Sequence, residues 1–236
     1  METVAVRYCF TSPDGSQETF DLQLDAHNLD LLGSLPEKLP PWTNLDCNQC
    51  PNCPLTIHTH PHCPLAARLV NIVERFNRFL SYDQIHVDVI TEERFISHDT
   101  TVQIGISSLM GLVIATCGCP HTAFLKPMAR FHLPLSTEEE TTYRAASMYL
   151  LAQYFLKKEG LNADLELEGL RKIYRNIHLV NTAVAERLRT ATETDSSLNA
   201  ISMLDMYALT IPLVIDESLE EIRHLFSPFL TRSNGL

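Results

Sequence analysis

Between Leu35 and Pro64 the chain carries seven prolines (Pro36, Pro40, Pro41, Pro51, Pro54, Pro61 and Pro64). Each fixes φ and removes a backbone donor, so this density forbids a regular element of any length. An irregular stretch this long inside a globular chain needs a reason. Its apolar residues, Leu35, Leu39, Trp42, Leu45, Leu55 and Ile57, are scattered and set little burial against the entropy of ordering the segment. The cysteines supply a reason. Cys47, Cys50 and Cys53 follow C-x2-C-x2-C spacing, and Cys50, Cys53, Cys63 and Cys119 are each followed by proline. Two thiolates separated by two residues can lie on one side of a tight turn, and proline stiffens the turn that aims the sulfur.

The constellation is Cys47, Cys50, Cys53 and Cys63, joined by Cys117 and Cys119 from Cys117-Gly118-Cys119-Pro120-His121. Cys63 and Cys119 stand at the starts of predicted helices, where the positive end of the helix dipole favours thiolate. The expected ligand set is Cys50, Cys53, Cys63 and Cys119, with Cys47, Cys117 and His121 in reserve. Four thiolates suit a structural zinc ion, and Cys50-Pro51-Asn52-Cys53 resembles a zinc-ribbon knuckle in which Pro54 replaces the usual glycine. The alternative is a [4Fe-4S] cluster in a redox protein or enzyme, because three close cysteines and a remote Cys-Pro resemble the ferredoxin pattern. A second alternative is a zinc hydrolase using His58, His60 and His62, whose H-x-H-x-H spacing would align three imidazoles on a strand. Pro61 argues against that strand, and exposed loop histidines are the simpler reading. No G-x-G-x-x-G, P-loop, G-x-S-x-G or H-E-x-x-H motif occurs, so whether the chain is an enzyme stays open.

Charge narrows the partners. Lys+Arg 18 against Asp+Glu 29 leaves −11, a balance that repels phosphate backbones and anionic headgroups. Neither nucleic acid nor membrane is expected, and a protein partner is. The first residues show no basic leader followed by an apolar run, so a cytoplasmic location is expected, in which seven cysteines favour metal or redox chemistry over disulfides. Residues 100–125 contain no Asp, Glu, Lys or Arg, but the apolar centre Leu109–Ala115 falls short of the ~20 residues a bilayer needs. A helix buried on all sides is expected there.

The fold class is α+β. Val4–Phe10 and Thr19–Leu24 flank the turn sequence Ser12-Pro13-Asp14-Gly15, and Ile85–Ile90 with Arg94–Ser97 form a second hairpin, giving about four antiparallel strands with helices on one face. Cys9 reads as a small strand side chain. Helices are expected from Cys63-Pro64 through Leu80, from Thr101 to Thr116, from Cys119-Pro120 toward Lys126, and from a capping box at Ser136/Glu139 or Thr137/Glu140 to Lys158. Two more run from Leu165 to about Arg189 and from Leu198 to about Phe229, the last kinked or divided at Pro212. Residues 1–134 make an α+β region carrying the cysteine site, and 135–236 a helical region packed into the same unit. Glu138, Glu139 and Glu140 complement a helix dipole, while Arg130 and His132 either support the cysteine site or lie apart from it.

Several stretches together resemble a bacterial family of uncharacterised proteins: Cys-Pro-Leu at 53–55, Cys-Pro-Leu-Ala at 63–66, Ser-Ser-Leu-Met-Gly-Leu at 107–112, Gly-Cys-Pro at 118–120 and Ala-Arg-Phe-His-Leu-Pro at 129–134. The similarity spans about Cys50 to Phe155. It implies no established activity, substrate or cofactor, yet its motifs coincide with the four cysteines selected on spacing.

Overall fold

Alternating apolar residues pair into one antiparallel sheet in the computed structural model, which describes residues 2–192 and 194–231. Strands β1 (Thr3–Thr11), β2 (Gln17–Asp25), β3 (Gln84–Ile90) and β4 (Phe95–Thr101) lie in the order β2-β1-β3-β4. In the β1–β2 turn Asp14 Oδ1 accepts from Ser16 N–H, and Gly15 supplies φ +84°. The alternation sorts the two faces. Val6, Tyr8 and Phe10 of β1 and Ile85, Val87 and Val89 of β3 point into the core. Arg7 pairs across to Asp21, and His86 bonds Asp99 and Ser97, on the opposite face.

Helix α1 (Pro64–Phe76) and helix α2 (Val102–Thr116) cover the apolar face. Cys63 is the N-cap of α1 and Pro64 its first residue, as the sequence predicts. α2 is buried nearly all round: Ile106, Leu109, Met110, Leu112 and Val113 are at most 1% exposed, so its lack of charge reflects a position at the molecule's centre. Gly105 lets it approach the sheet, since a Cβ there would meet the Phe10 ring at 2.9 Å and Val87 at 3.0 Å.

The second half of the chain closes over α2. After the short α3 (Lys126–Arg130), α4 (Glu138–Lys158) starts with the capping box formed by Thr137 and Glu140, one of the two pairs the sequence offered. α5 (Glu168–Arg189) starts three residues later than expected, because Leu167 sits at φ +60° and the Asp164 carboxylate accepts from the N–H groups of Glu166 and Gly169. α6 (Ser196–Glu221) ends earlier than expected; a 3-10 turn at Arg223–Phe226 and α7 (Ser227–Leu230) follow, with Pro228 opening α7 where a continuous helix would need its N–H. Val180, Val184 and Leu188 of α5 and Ala200 and Ile201 of α6 join the core cluster of the sheet and α2, while α4, α5 and the rest of α6 enclose a second cluster around Tyr149, Leu170 and Ile211.

No single helix among the described residues is long and apolar enough to cross a membrane; two parts of α6, Ser196–Leu213 and Ile215–Glu221, are long and apolar enough only taken together, across an 82° bend just beyond Pro212.

Candidate cysteine site

The proline-rich segment is ordered, and its main fastener is a residue more than a hundred positions away. Arg187 on α5 is 1% exposed, and its guanidinium donates to three backbone carbonyls of the segment: Nη1 to Trp42 at 2.7 Å and Asn44 at 2.6 Å, Nη2 to Leu45 at 3.0 Å. The side chain satisfies carbonyls that prolines and turns leave without ladder partners. Around it Thr43 Oγ1 bonds both Pro40 O and His62 Nδ1, Asn44 bridges to His62, and Leu45 is buried. The segment's scattered apolar residues bury little apart from Leu45, and these hydrogen bonds supply ordering that the apolar pattern does not announce.

The segment carries its cysteines to the seam between α1 and α2. Cys50 and Cys53 flank a turn closed by Cys53 N–H donating to Cys50 O at 3.0 Å. Cys63 arrives as the α1 N-cap. Cys119 arrives from the end of α2, where Gly118 at φ +91° reverses the chain. Cys50, Cys63 and Cys119 all pack against the main core. The thiols of Cys53, Cys63 and Cys119 are all within electrostatic reach of Cys50: burial pushes the Cys50 thiol up to about 12, these three neighbours add to the rise, and the Arg187 guanidinium opposes it. Every cysteine in the chain is a free thiol. Among the described residues, no three or more His, Cys, Asp or Glu are placed to hold a metal ion, so the thiols are neighbours without forming a ready coordination set.

Cys119 departs from expectation in its local structure. No regular helix opens at Pro120; a turn, a 3-10 segment at Ala123–Leu125 and then α3 follow. The N–H groups of His121 and Thr122 still face the sulfur and favour thiolate, but burial outweighs them and the thiol is raised, not lowered. Cys117 has a separate task. Fully buried at the C-cap of α2, it donates to Ile114 O at 3.1 Å, and burial with the nearby Cys119 raises it to about 12. Cys47 lies in the turn at Leu45–Asn48. His121 uses Nε2 to donate to Asn52 O at 2.7 Å, tying the Cys50–Cys53 turn to the Cys119 turn.

The histidine trio does not assemble. Ile57–Thr59 form a turn, His58 and His60 are exposed, and only His62 turns inward, to Thr43. Glu138 and Glu139 occupy the first turn of α4 beside the capping Glu140. Arg130 lies over the Phe131 ring at 5.6 Å.

His132 belongs elsewhere in the core. Its Nε2 lies 2.6 Å from Tyr8 Oη, Tyr8 Oη lies 2.8 Å from Ser108 Oγ, and Leu135 N–H donates to Ser108 Oγ at 3.0 Å. With the imidazole neutral, one direction satisfies every group: Leu135 N–H to Ser108, Ser108 O–H to Tyr8, Tyr8 O–H to His132 Nε2. Burial, reinforced by Arg144, holds His132 down to about 3, and burial raises Tyr8. An unfolded histidine titrates near 6.5, so below that pH the unfolded chain takes up a proton that the folded one refuses until about 3. Stability is therefore expected to fall as pH drops from 6.5, with His132 contributing a slope of at most ~1.4 kcal/mol per unit. Urea unfolding between pH 7 and 4.5 checks this: His132→Gln should flatten the profile, and parallel profiles for the two proteins would contradict it.

Fold and site together define an α+β protein with a thiol cluster at the junction of an irregular loop and two core helices. The family model of a domain of unknown function, DUF6901, matches residues 4–227, and the chain belongs to that family. No curated protein and no solved structure matches the chain.

Proposed function

We propose that Cys50, Cys53, Cys63 and Cys119 bind one structural zinc ion that locks the proline-rich loop to α1 and α2 and so presents the loop surface to a protein partner in a reducing cytoplasm. The observation that carries the reading is the convergence of four Cys-Pro cysteines from three separate segments beside a buried arginine that has no carboxylate partner among the described residues. A buried cation needs compensation, and thiolates around an ion would supply negative charge next to it. Coordination replaces four S–H groups with four Zn–S bonds of about 2.3 Å and requires the sulfurs to draw in from their present separation. With four thiolates no open position is left for substrate, so the role is structural.

Elemental analysis and an absorption spectrum of protein purified anaerobically test this. About one zinc per chain in a colourless protein is expected. Cys50→Ser or Cys119→Ser should reduce the metal content, His58→Ala and His60→Ala should not, and a chelator should increase proteolysis between Leu35 and Pro64. Iron with visible absorption would replace zinc by a [4Fe-4S] cluster on the same cysteines. Failure to retain or take up either metal under reducing conditions would end both readings.

A further inference from the structure

A second site borders α2 and includes none of the cysteines. α2, the α3 region, α4, α5 and α6 leave between them a cavity of about 170 Å³ whose walls are largely apolar, including Leu112, Met128, Ile177 and Leu204. Into it face two donor groups from neighbouring helices. Asn181 on α5 is 2% exposed, and its amide nitrogen Nδ2 has no hydrogen-bond partner among the described residues. Arg144 on α4 gives Nη2 to Met128 O at 2.7 Å and Phe131 O at 3.0 Å but forms no ion pair among the described residues; the closest acid acting on it, Glu140, is spent on the capping box. A donor left unsatisfied in an apolar interior costs free energy unless something accepts from it, and the half-buried Arg144 guanidinium adds a positive charge at the same cavity wall.

The geometry points to a binding site for a small apolar monocarboxylate, aromatic or short-chain, with its carboxylate on Asn181 and Arg144 and its body against Leu112, Ile177 and Leu204. Size and chemistry agree on this class. A cavity of ~150 Å³ lined by apolar side chains is enough to hold benzene, and one of 170 Å³ accommodates a ring or a chain of similar bulk with a polar head. Asn181 and Arg144 are donors and demand an acceptor. Of the other polar groups at the wall, Ser108 is committed to Tyr8 and Leu135, His132 to Tyr8, and Thr141 to Thr137 O, while the Tyr174 hydroxyl lies near Arg144 and adds a further donor for the carboxylate head.

Calorimetric titration of the full chain with sodium benzoate and sodium hexanoate, and with toluene as an uncharged body of similar shape, provides the test. Saturable binding of one of the carboxylates is expected, at least about tenfold tighter than toluene, the factor of one charge-assisted hydrogen bond in a dry site. Asn181→Leu removes the unsatisfied donor and fills part of the space, and should weaken carboxylate binding by about tenfold or more while leaving metal content unchanged. No saturable carboxylate binding by the wild-type chain overturns the proposal, as does toluene binding equally well. Unchanged carboxylate affinity in a folded Asn181→Leu protein overturns it too.

Discussion

Arg187→Ala is expected to destabilise the protein by about 3–5 kcal/mol and to release the proline-rich loop before the rest unfolds. The substitution strips donors from the carbonyls of Trp42, Asn44 and Leu45, the Leu45 bond buried and the other two partly so, and each carbonyl left unsatisfied carries a desolvation cost of up to roughly 1–3 kcal/mol. Water entering the vacated volume recovers part of this, which sets the upper end of the range. Arg187→Lys keeps the charge but loses the planar fork that reaches carbonyls of three residues, so it should recover less than half of the loss. Denaturant unfolding gives the total. Amide exchange gives the location: Leu45 N–H, bonded to Pro61 O, and Cys63 N–H, bonded to Thr43 O, should exchange faster in Arg187→Ala, while Tyr8 and Val87 amides in the sheet should slow or speed only with global stability. A loss below ~1 kcal/mol, or loop amides that stay protected, would show that other contacts order the segment.

Arg187 also marks the boundary of what the sequence makes legible. β3 follows from period-two alternation, β1 and β2 from β-prone runs about a turn sequence, α1 from the i, i+3, i+4 spacing behind Pro64, and the start of α4 from a capping box four residues long, all local patterns; β4, which does not alternate, runs Phe95–Thr101 against an expected Arg94–Ser97. The Cys-Pro dipeptides single out Cys50, Cys53, Cys63 and Cys119 in the sequence, and the fold brings the last three within electrostatic reach of Cys50, a juxtaposition that no local rule about proline specifies. The bond from Arg187 to Trp42 joins residues 145 positions apart, and on α5 an arginine near a helix C-terminus reads as an ordinary dipole partner. Asn181 is hidden for the same reason: nothing in its neighbours distinguishes a buried donor from a surface amide. The pKa expectation for Cys119 failed through magnitude, since its helix-like N–H groups are present but burial acts more strongly on the thiol.

The other large effect belongs to Phe76, and it separates the core from the thiol site. Its ring is fully buried, stacked on Phe20 at 5.8 Å with 11° between planes and edge-on to Phe10 at 4.9 Å, with Phe79 at 5.6 Å. Arg75 lies over Phe20 at 4.3 Å, and Ser196 Oγ at the start of α6 donates to Phe76 O, so α1, both first strands and α6 meet at this residue. Truncation to alanine removes the transfer free energy of the ring and leaves a cavity that three aromatic neighbours and two helices cannot collapse into. A loss of about 3–5 kcal/mol is expected, or roughly 10 °C in Tm for a chain of this size, with Phe76→Leu costing clearly less. α1 has the aromatic cluster at its last residue and Cys63 at its N-cap, so it links the sheet to the thiols over its whole length. If the cysteines hold an ion independently of core quality, Phe76→Ala should lower Tm yet retain the metal, whereas Cys50→Ser should lose the metal with the aromatic cluster intact. Metal loss in Phe76→Ala at temperatures well below its Tm would mean that ion binding depends on how α1 is seated on the sheet, because ligand linkage makes site and core share one free energy of folding.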